Sequence, residues 1–362
     1  SDIALDIREA GRAKRDKNGK IIRDKNNAMV KVLGSLKAVK AVGWYLDEHN
    51  IAQVSMNLVN YKITSVYKAF EEVRQQAQKR GMRVTGSELV GLIPLQPLLD
   101  AGQYFLKKQN KSEGVTNAQL IHIAVKSLGL DEMYDFNKNE KIIEYIIDDS
   151  PKLVNKTVAS FVDEVSMDSP APGGGSISAL VASLSSALVS MVANLSYNKK
   201  EFIKNRQKIN QIALDSQKLK NQFLNLIDED TEVFNGLMNS FRLPKKTDKE
   251  TEYRTNQILK MSKLVTEVPF NTLKKCSLSM DLVLDVLKIG NANCLSDAAV
   301  AGEMSCASAY GAYYNVQINL LDLKDDKKYC EIINAKSEAI IKEVDKKIIK
   351  IKKIVKKELS YE

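Results

Sequence analysis

The spacing of apolar positions changes near residue 150. Before it, period-two runs mix with three-to-four spacing; after it, only helical spacing persists. VKAVGWYLDEHN (39–50) and IAQVSMNLVNYKI (51–63) are rich in β-branched and aromatic residues and predict two strands. TSVYKAFEEVRQQAQKRG (64–81) predicts a helix with apolar Val66, Phe70, Val73 and Ala77, capped by Thr64 or Ser65 and ended by Gly81. RVTGSELVGLIP (83–94) predicts a further strand, and LQPLLDAGQYFLKKQ and TNAQLIHIAVKSLGL predict helices. SDIALDIREAGR already reads as helix at the first residue, like the interior of a longer protein, and RDKNGKIIRDKNN predicts an exposed loop. Residues 1–148 thus form an α+β region, and the acids, Ser and Pro of IIDDSPKLVNK predict a linker at 149–155. Residues 156–362 predict an all-α bundle, so the chain is mostly helical. Its last helix carries Ile341, Val344, Ile348, Ile351 and Val355 as a seam for a neighbouring helix or a partner chain.

The 362 residues suffice for two domains, and 6% aromatic content leaves cores to Leu, Ile, Val and Ala. The net charge of +9 is concentrated: residues 336–357 hold nine lysines against Glu338, Glu343 and Asp345. That segment is either a solvated helix face or a surface for an acidic partner. No nucleic-acid-binding motif accompanies it, so nucleic acid is not the expected partner. Cys276, Cys294, Cys306 and Cys330 form no C-x-x-C pair, and His49 and His122 are the only histidines. Reduced thiols in a cytoplasmic protein without a metal site are expected, and no secretory signal pattern opens the chain.

The stretch SPAPGGGSISALVASLSSALVSMVANLS carries no charge within a highly charged chain. A Walker loop needs a lysine soon after its glycines, and none occurs before Lys199. A membrane span of roughly 20 apolar residues is the alternative. Seven serines and Asn194 between residues 176 and 196 make the segment too polar for that. Ala179, Ser183, Ala187, Ser190 and Asn194 form a stripe of small residues, with Leu180, Leu184, Leu188, Met191 and Leu195 as a large apolar stripe beside it. The pattern predicts a helix buried on most sides. The glycines before it set up either a tight turn or a helix start that binds a ligand.

In FLNLIDEDTEVFNGLMNSF, Asp230 falls at the centre of the stripe made by Phe223, Leu226, Ile227, Val233, Phe234, Leu237 and Phe241. Asp228 falls almost opposite, toward solvent, so the two are not a carboxylate dyad. An aspartate on an apolar face is costly unless paired or protonated. It is either a structural buried Asp or an acid–base group with a raised pKa. Further on, GNANC predicts a turn, followed by a helix capped by Ser296 or Asp297. Ala301, Ser305, Ser308, Ala312, Asn315 and Asn319 share one face of it, so the two amides can read a heterocycle edge or bond between helices.

APGGGS, LIDEDTEVF, RLPK, GNANCLSDAAVA and GAYYNVQINL together resemble the cyclodeaminase domain of the formiminotransferase-cyclodeaminase family, folate enzymes of histidine breakdown. VGWYLDEHNIAQVSMNL, GSELVGLIPLQPLLDA and KIIEYII in the first half resemble the carboxyl-terminal subdomain of its formiminotransferase part. The amino-terminal transferase subdomain, with its catalytic histidine, has no counterpart here. Transferase activity is therefore not expected of the isolated chain, and a separate chain could supply the missing part. The resemblance implies conversion of 5-formiminotetrahydrofolate to 5,10-methenyltetrahydrofolate and ammonia, with tetrahydrofolate as a carried substrate and no other cofactor. It places the catalytic aspartate on Asp230, the residue that the helical face also singles out.

The remaining assignments are expectations. Gly173, Gly174, Gly175 and Ser176 contact the pterin or the intermediate; Asn291, Asp297, Asn315 and Asn319 hold the pterin edge; Arg242 and Lys245 meet the glutamate tail. The resemblance also implies a cytoplasmic homo-oligomer with dimers through the helical domain. Two other readings remain: a methenyltetrahydrofolate cyclohydrolase, and a non-catalytic subunit that completes a transferase in trans.

Overall fold

The computed structural model describes residues 1–147 and 152–360. These form two compact units, one from 1–110 with 116–147, the other from 111–115 with 152–360. Residues 149–151 of the expected linker lie outside the described residues, and Leu153–Asn155 is a 3-10 turn. Residues 111–115, which the sequence reading places in the first region, group with the helical unit: Asn210 Oδ1 accepts the Glu113 N–H at 2.8 Å, and Asn194 Nδ2 donates to the Gly114 carbonyl at 2.8 Å.

The first unit comprises α1 (Asp2–Ile7), β1 (Arg12–Ala13), β2 (Lys31–Val32), β3 (Val39–Leu46), β4 (Ile51–Leu58), α2 (Val66–Gln78), α3 (Leu95–Lys108), α4 (Asn117–Leu128), α5 (Lys138–Lys141) and α6 (Ile143–Ile147). β1 pairs with β2 and β3 with β4, both antiparallel, with Val39 opposite Leu58 and Leu46 opposite Ile51. Alternation in β3 turns Val39 and Ala41 into a core with Ile3, Ile7, Ala69 and Val73, and leaves Val42 and Trp44 exposed. Ser65 occupies the N-cap position of α2 but makes no side-chain capping bond; Thr64 Oγ1 donates instead to the Lys37 carbonyl at 2.7 Å. α4 is bounded as sequence rules require, by a Thr116–Gln119 capping box and by Gly129 at φ 62°.

One feature departs from expectation. Residues 83–94 form no strand, because no ladder to β3 or β4 develops. Their backbone bonds run to helix ends: Ser87 N–H to the Gly129 carbonyl and Ile93 N–H to the Lys141 carbonyl, with one isolated bridge to Ile142. The 15–27 loop is exposed but built from two like turns, in which Asp16 and Asp24 each accept from the N–H groups two and four residues on.

The second unit comprises α7 (Val158–Val165), α8 (Gly174–Tyr197), α9 (Arg206–Phe241), α10 (Asp248–Ile289), α11 (Leu295–Leu321) and α12 (Lys327–Glu358), and no strand among its described residues. α8 is central and packs against α9, α10 and α11. Its length and composition match a membrane span, yet most of it is buried in this bundle. Small residues permit the close approach. Ser185 Oγ donates to the Ala301 carbonyl at 2.7 Å and lies 2.8 Å from Ser305 Oγ, which donates to Ser279 Oγ at 3.1 Å; Ser186 Oγ is 3.3 Å from Ser279. Three helices thus share one chain of buried hydroxyls.

The large stripe of α8 is not covered as expected: Leu184, Met191 and Leu195 are exposed, because the neighbours take the serine and alanine face. The seam on α12 is filled within the chain. Val344, Ile348 and Ile351 are buried, and Tyr310 OH donates to Asp345 Oδ1 at 2.6 Å. α11 starts earlier than expected: Cys294 is its N-cap, and neither Ser296 nor Asp297 caps it.

Candidate active site

The start of α8 lies between α9 and α11. Ser176 Oγ donates to Asp230 Oδ2 at 3.1 Å and to the Ile227 carbonyl at 2.9 Å, and lies 3.2 Å from Thr231 Oγ1. The carboxylate rests on the backbone of Gly175, where a Cβ would stand 2.1 Å from Asp230 Oδ1. On the other side, a Cβ at Gly174 would stand 3.0 Å from Asn315 Nδ2. The glycines thus permit a close approach: a carboxylate and an amide from two other helices close on one helix start.

Burial raises the Asp230 pKa above the ordinary aspartate value of 3.8, against the opposing hydroxyl and N–H bonds from Ser176. No cation appears among the causes of the shift. Desolvation thus dominates, moving the proton affinity toward the range useful for general acid–base transfer at neutral pH.

Asp228 is not on the solvent side. It is buried, and its Oδ1 accepts the Leu153 N–H at 2.6 Å, because the turn at 153–155 covers the face that periodicity left open. Its role is to hold that turn.

The two asparagines on α11 differ. Asn315 flanks Gly174, its Nδ2 donating to the Gly311 carbonyl at 2.8 Å. Asn319 Nδ2 donates to the Val265 carbonyl of α10 at 2.8 Å. Pro269, four residues after Val265 inside α10, has no N–H to give that carbonyl. Asn319 supplies the missing donor. Its donor end is thus committed to an interhelical bond, which limits its expected role at a pterin edge to the Oδ1 end.

Other expected residues lie away from Asp230. Asn291 is at the opposite end of α8: its N–H donates to Ser196 Oγ at 2.8 Å and its Oδ1 accepts from Lys199 Nζ at 3.1 Å. Ser176 and Ser196 are five to six helical turns apart, about 30 Å. Asn291, and Asp297 in the first turn of α11, therefore do not join this site within one chain. Arg242 is the exposed C-cap of α9 and Lys245 lies in the exposed loop after it, about 18 Å or more along the axis from Asp230. Gly173 precedes the helix, with only the Pro170 carbonyl near a Cβ there. Thr231, beside Asp230 and in contact with Ser176, belongs to the site and escaped the sequence reading; its place next to Asp230 in LIDEDTEVF was the available signal.

A desolvated carboxylate is thus held against a glycine helix start in an all-helical unit. The chain belongs to the formiminotransferase-cyclodeaminase family. The family model Formiminotransferase-cyclodeaminase matches residues 157–339, and Formiminotransferase domain matches residues 1–148. Formimidoyltransferase-cyclodeaminase of Rattus norvegicus is 36% identical over 327 residues, 90% of this chain and 57% of that protein. The Dictyostelium discoideum protein of the same name is 32% identical over 357 residues, 98% of this chain and 62% of its own length. The chain thus spans about 60% of these relatives. Methenyltetrahydrofolate cyclohydrolase of Methylorubrum extorquens is 34% identical over 177 residues, 49% of this chain and 85% of that protein.

Proposed function

We propose that the helical unit is a formimidoyltetrahydrofolate cyclodeaminase, converting 5-formiminotetrahydrofolate to 5,10-methenyltetrahydrofolate and ammonia. The observation that carries this reading is the Asp230 carboxylate, desolvated and pinned by Ser176 against Gly175. The substrate's N10 attacks the formimino carbon on N5, forming a C–N bond and a tetrahedral centre. Asp230 takes the proton released from N10 and returns it to the departing nitrogen, which leaves as ammonia with its C–N pair. One group positioned to act as base and then acid serves both steps. Gly173, Gly174, Gly175, Ser176 and Asn315 line the pterin side; Arg242 and Lys245 are assigned to the glutamate tail.

Residues 1–148 are assigned to the carboxyl-terminal part of a formiminotransferase half. The exposed Leu184, Met191 and Leu195 of α8 support a homo-oligomer formed through the helical unit. The likeness to the Methylorubrum extorquens protein favours a second reading, methenyltetrahydrofolate cyclohydrolase, which uses the same carboxylate to activate water.

The test gives the purified chain 5-formiminotetrahydrofolate and follows the methenyl product and ammonia together, with D230N alongside. Coupled formation that D230N loses is expected. Hydrolysis of methenyltetrahydrofolate without ammonia release from the formimino compound transfers the assignment to the cyclohydrolase. A folded chain inactive in both assays overturns an enzymatic role.

A further inference from the structure

We propose that the outer face of α12 rests on an anionic lipid surface, held by Lys346, Lys350, Lys353, Lys356 and Lys357 around Ile349. The stretch KKIIKIKKIVKK (346–357) holds seven lysines and no acid. Val344, Ile348 and Ile351 are buried in the bundle, so the opposite side of the helix turns outward. At 100° per residue, the five lysines and Ile349 fall within an arc of about 120° on that outward side, over about 16 Å of axis. All six are exposed, Ile349 by 65%.

The surroundings do not cancel this charge. Asp281 of α10 takes Lys347 at 2.8 Å and Glu303 of α11 takes Lys352 at 3.4 Å, the two lysines that flank the arc. Asp345 accepts from Tyr310 OH at 2.6 Å. Glu343, three residues before Lys346, accepts from Ser277 Oγ at 3.3 Å and offsets at most one lysine. Glu358 falls on the far side of the helix from the arc. The five lysines of the arc make no ion pair among the described residues.

The make-up of the face selects the kind of anion. Protein–protein interfaces are depleted in lysine. The stretch has no arginine for forked phosphate contacts and no aromatic ring for base stacking. Compact ammonium groups on flexible stems suit a diffuse negative potential, and an exposed isoleucine among them suits the headgroup layer. A convex helix side carrying both fits a flat, laterally mobile lipid surface. The contact is peripheral, since α8, which has the length of a span, is mostly buried in the bundle. The face uses no residue of the Asp230 site and stands apart from the cyclodeaminase reading.

The experiment sediments the full chain with phosphatidylcholine vesicles, with and without phosphatidylserine, at low and at raised salt. Binding is expected only with phosphatidylserine and is expected to fall as salt rises. Each lysine near an anionic surface contributes about fivefold in binding, so K350Q/K353Q/K357Q is expected to bind about 100-fold more weakly. I349S is expected to weaken binding about fivefold. K17Q/K20Q/K25Q removes the same charge from the exposed loop of the first unit and is expected to bind as wild type does. Circular dichroism checks that each variant is folded. No sedimentation with phosphatidylserine vesicles overturns the proposal, and so does salt-independent binding. An equal loss in K17Q/K20Q/K25Q makes net charge the cause and overturns the role of α12. Binding of soluble polyaspartate without binding of vesicles assigns the face to an acidic polypeptide and overturns the lipid surface.

Discussion

The Asp230 carboxylate lies so close to Gly175 that any side chain at 175 would occupy its space: a Cβ there would stand 2.1 Å from Oδ1 and 2.6 Å from Cγ. The obstacle is the carboxylate itself. Gly175→Ala is therefore expected to fold, with helix content unchanged by circular dichroism, while the carboxylate is displaced. A misplacement of about 1 Å costs on the order of 100-fold in rate. The measurement is kcat for methenyl-folate formation; a variant within about threefold of wild type would refute the contact's importance.

Asp230→Asn separates chemistry from stability. Loss of the acid–base group is expected to lower kcat by about 100- to 10,000-fold. The pH dependence has a definite sign. The folded-state pKa is raised above the ordinary 3.8, so the folded state binds more protons than the unfolded chain between these values. Wild-type stability is then full below the unfolded pKa and falls as pH rises through the folded one. D230N lacks that fall and is expected to be more stable than wild type at pH 7, measured by urea unfolding from pH 3.5 to 8. Equal slopes for both proteins would contradict the assignment.

Asn319 and Pro269 are expected to be coupled. With proline present, Asn319→Ala leaves the Val265 carbonyl without a donor, at a cost of about 1–3 kcal/mol. Pro269→Ala restores an N–H for that carbonyl, so Asn319→Ala in that background is expected to cost less by about 1 kcal/mol or more. A double-mutant cycle in urea measures the difference, and strict additivity would sink the account.

Asp228→Ala removes the acceptor of the Leu153 N–H and is expected to destabilise the helical unit by about 1–3 kcal/mol. The kcat of the surviving folded fraction is expected to stay near wild type, which distinguishes this aspartate from its neighbour two residues on.

What the sequence disclosed follows from what a repeat can encode. Helical period alone put Asp230 on the inner face of α9. It misplaced Asp228, because the 153–155 turn that buries it comes from a distant segment. RVTGSELVGLIP reads as a strand in composition, but a strand also needs a neighbour, which a local pattern does not supply. The α8 stripes were read correctly as small and large. Which of them faces the bundle depends on how closely three backbones pack on serine and alanine. GNANCLSD supports the family resemblance, but motif order says nothing of distance along a bundle, and Asn291 lies at the other end of α8. Pro269 explains Asn319 only once α10 and α11 are seen side by side.

Ser176 and Asp230 meet across 54 residues, and Asn315 joins them from a helix two further on. Until α8, α9 and α11 have closed together, residue 230 is an aspartate in water with ordinary acidity, and the glycines have nothing to admit. Assembly of the bundle is what raises the proton affinity of this carboxylate. The titration of this one side chain therefore reports whether the molecule has finished folding.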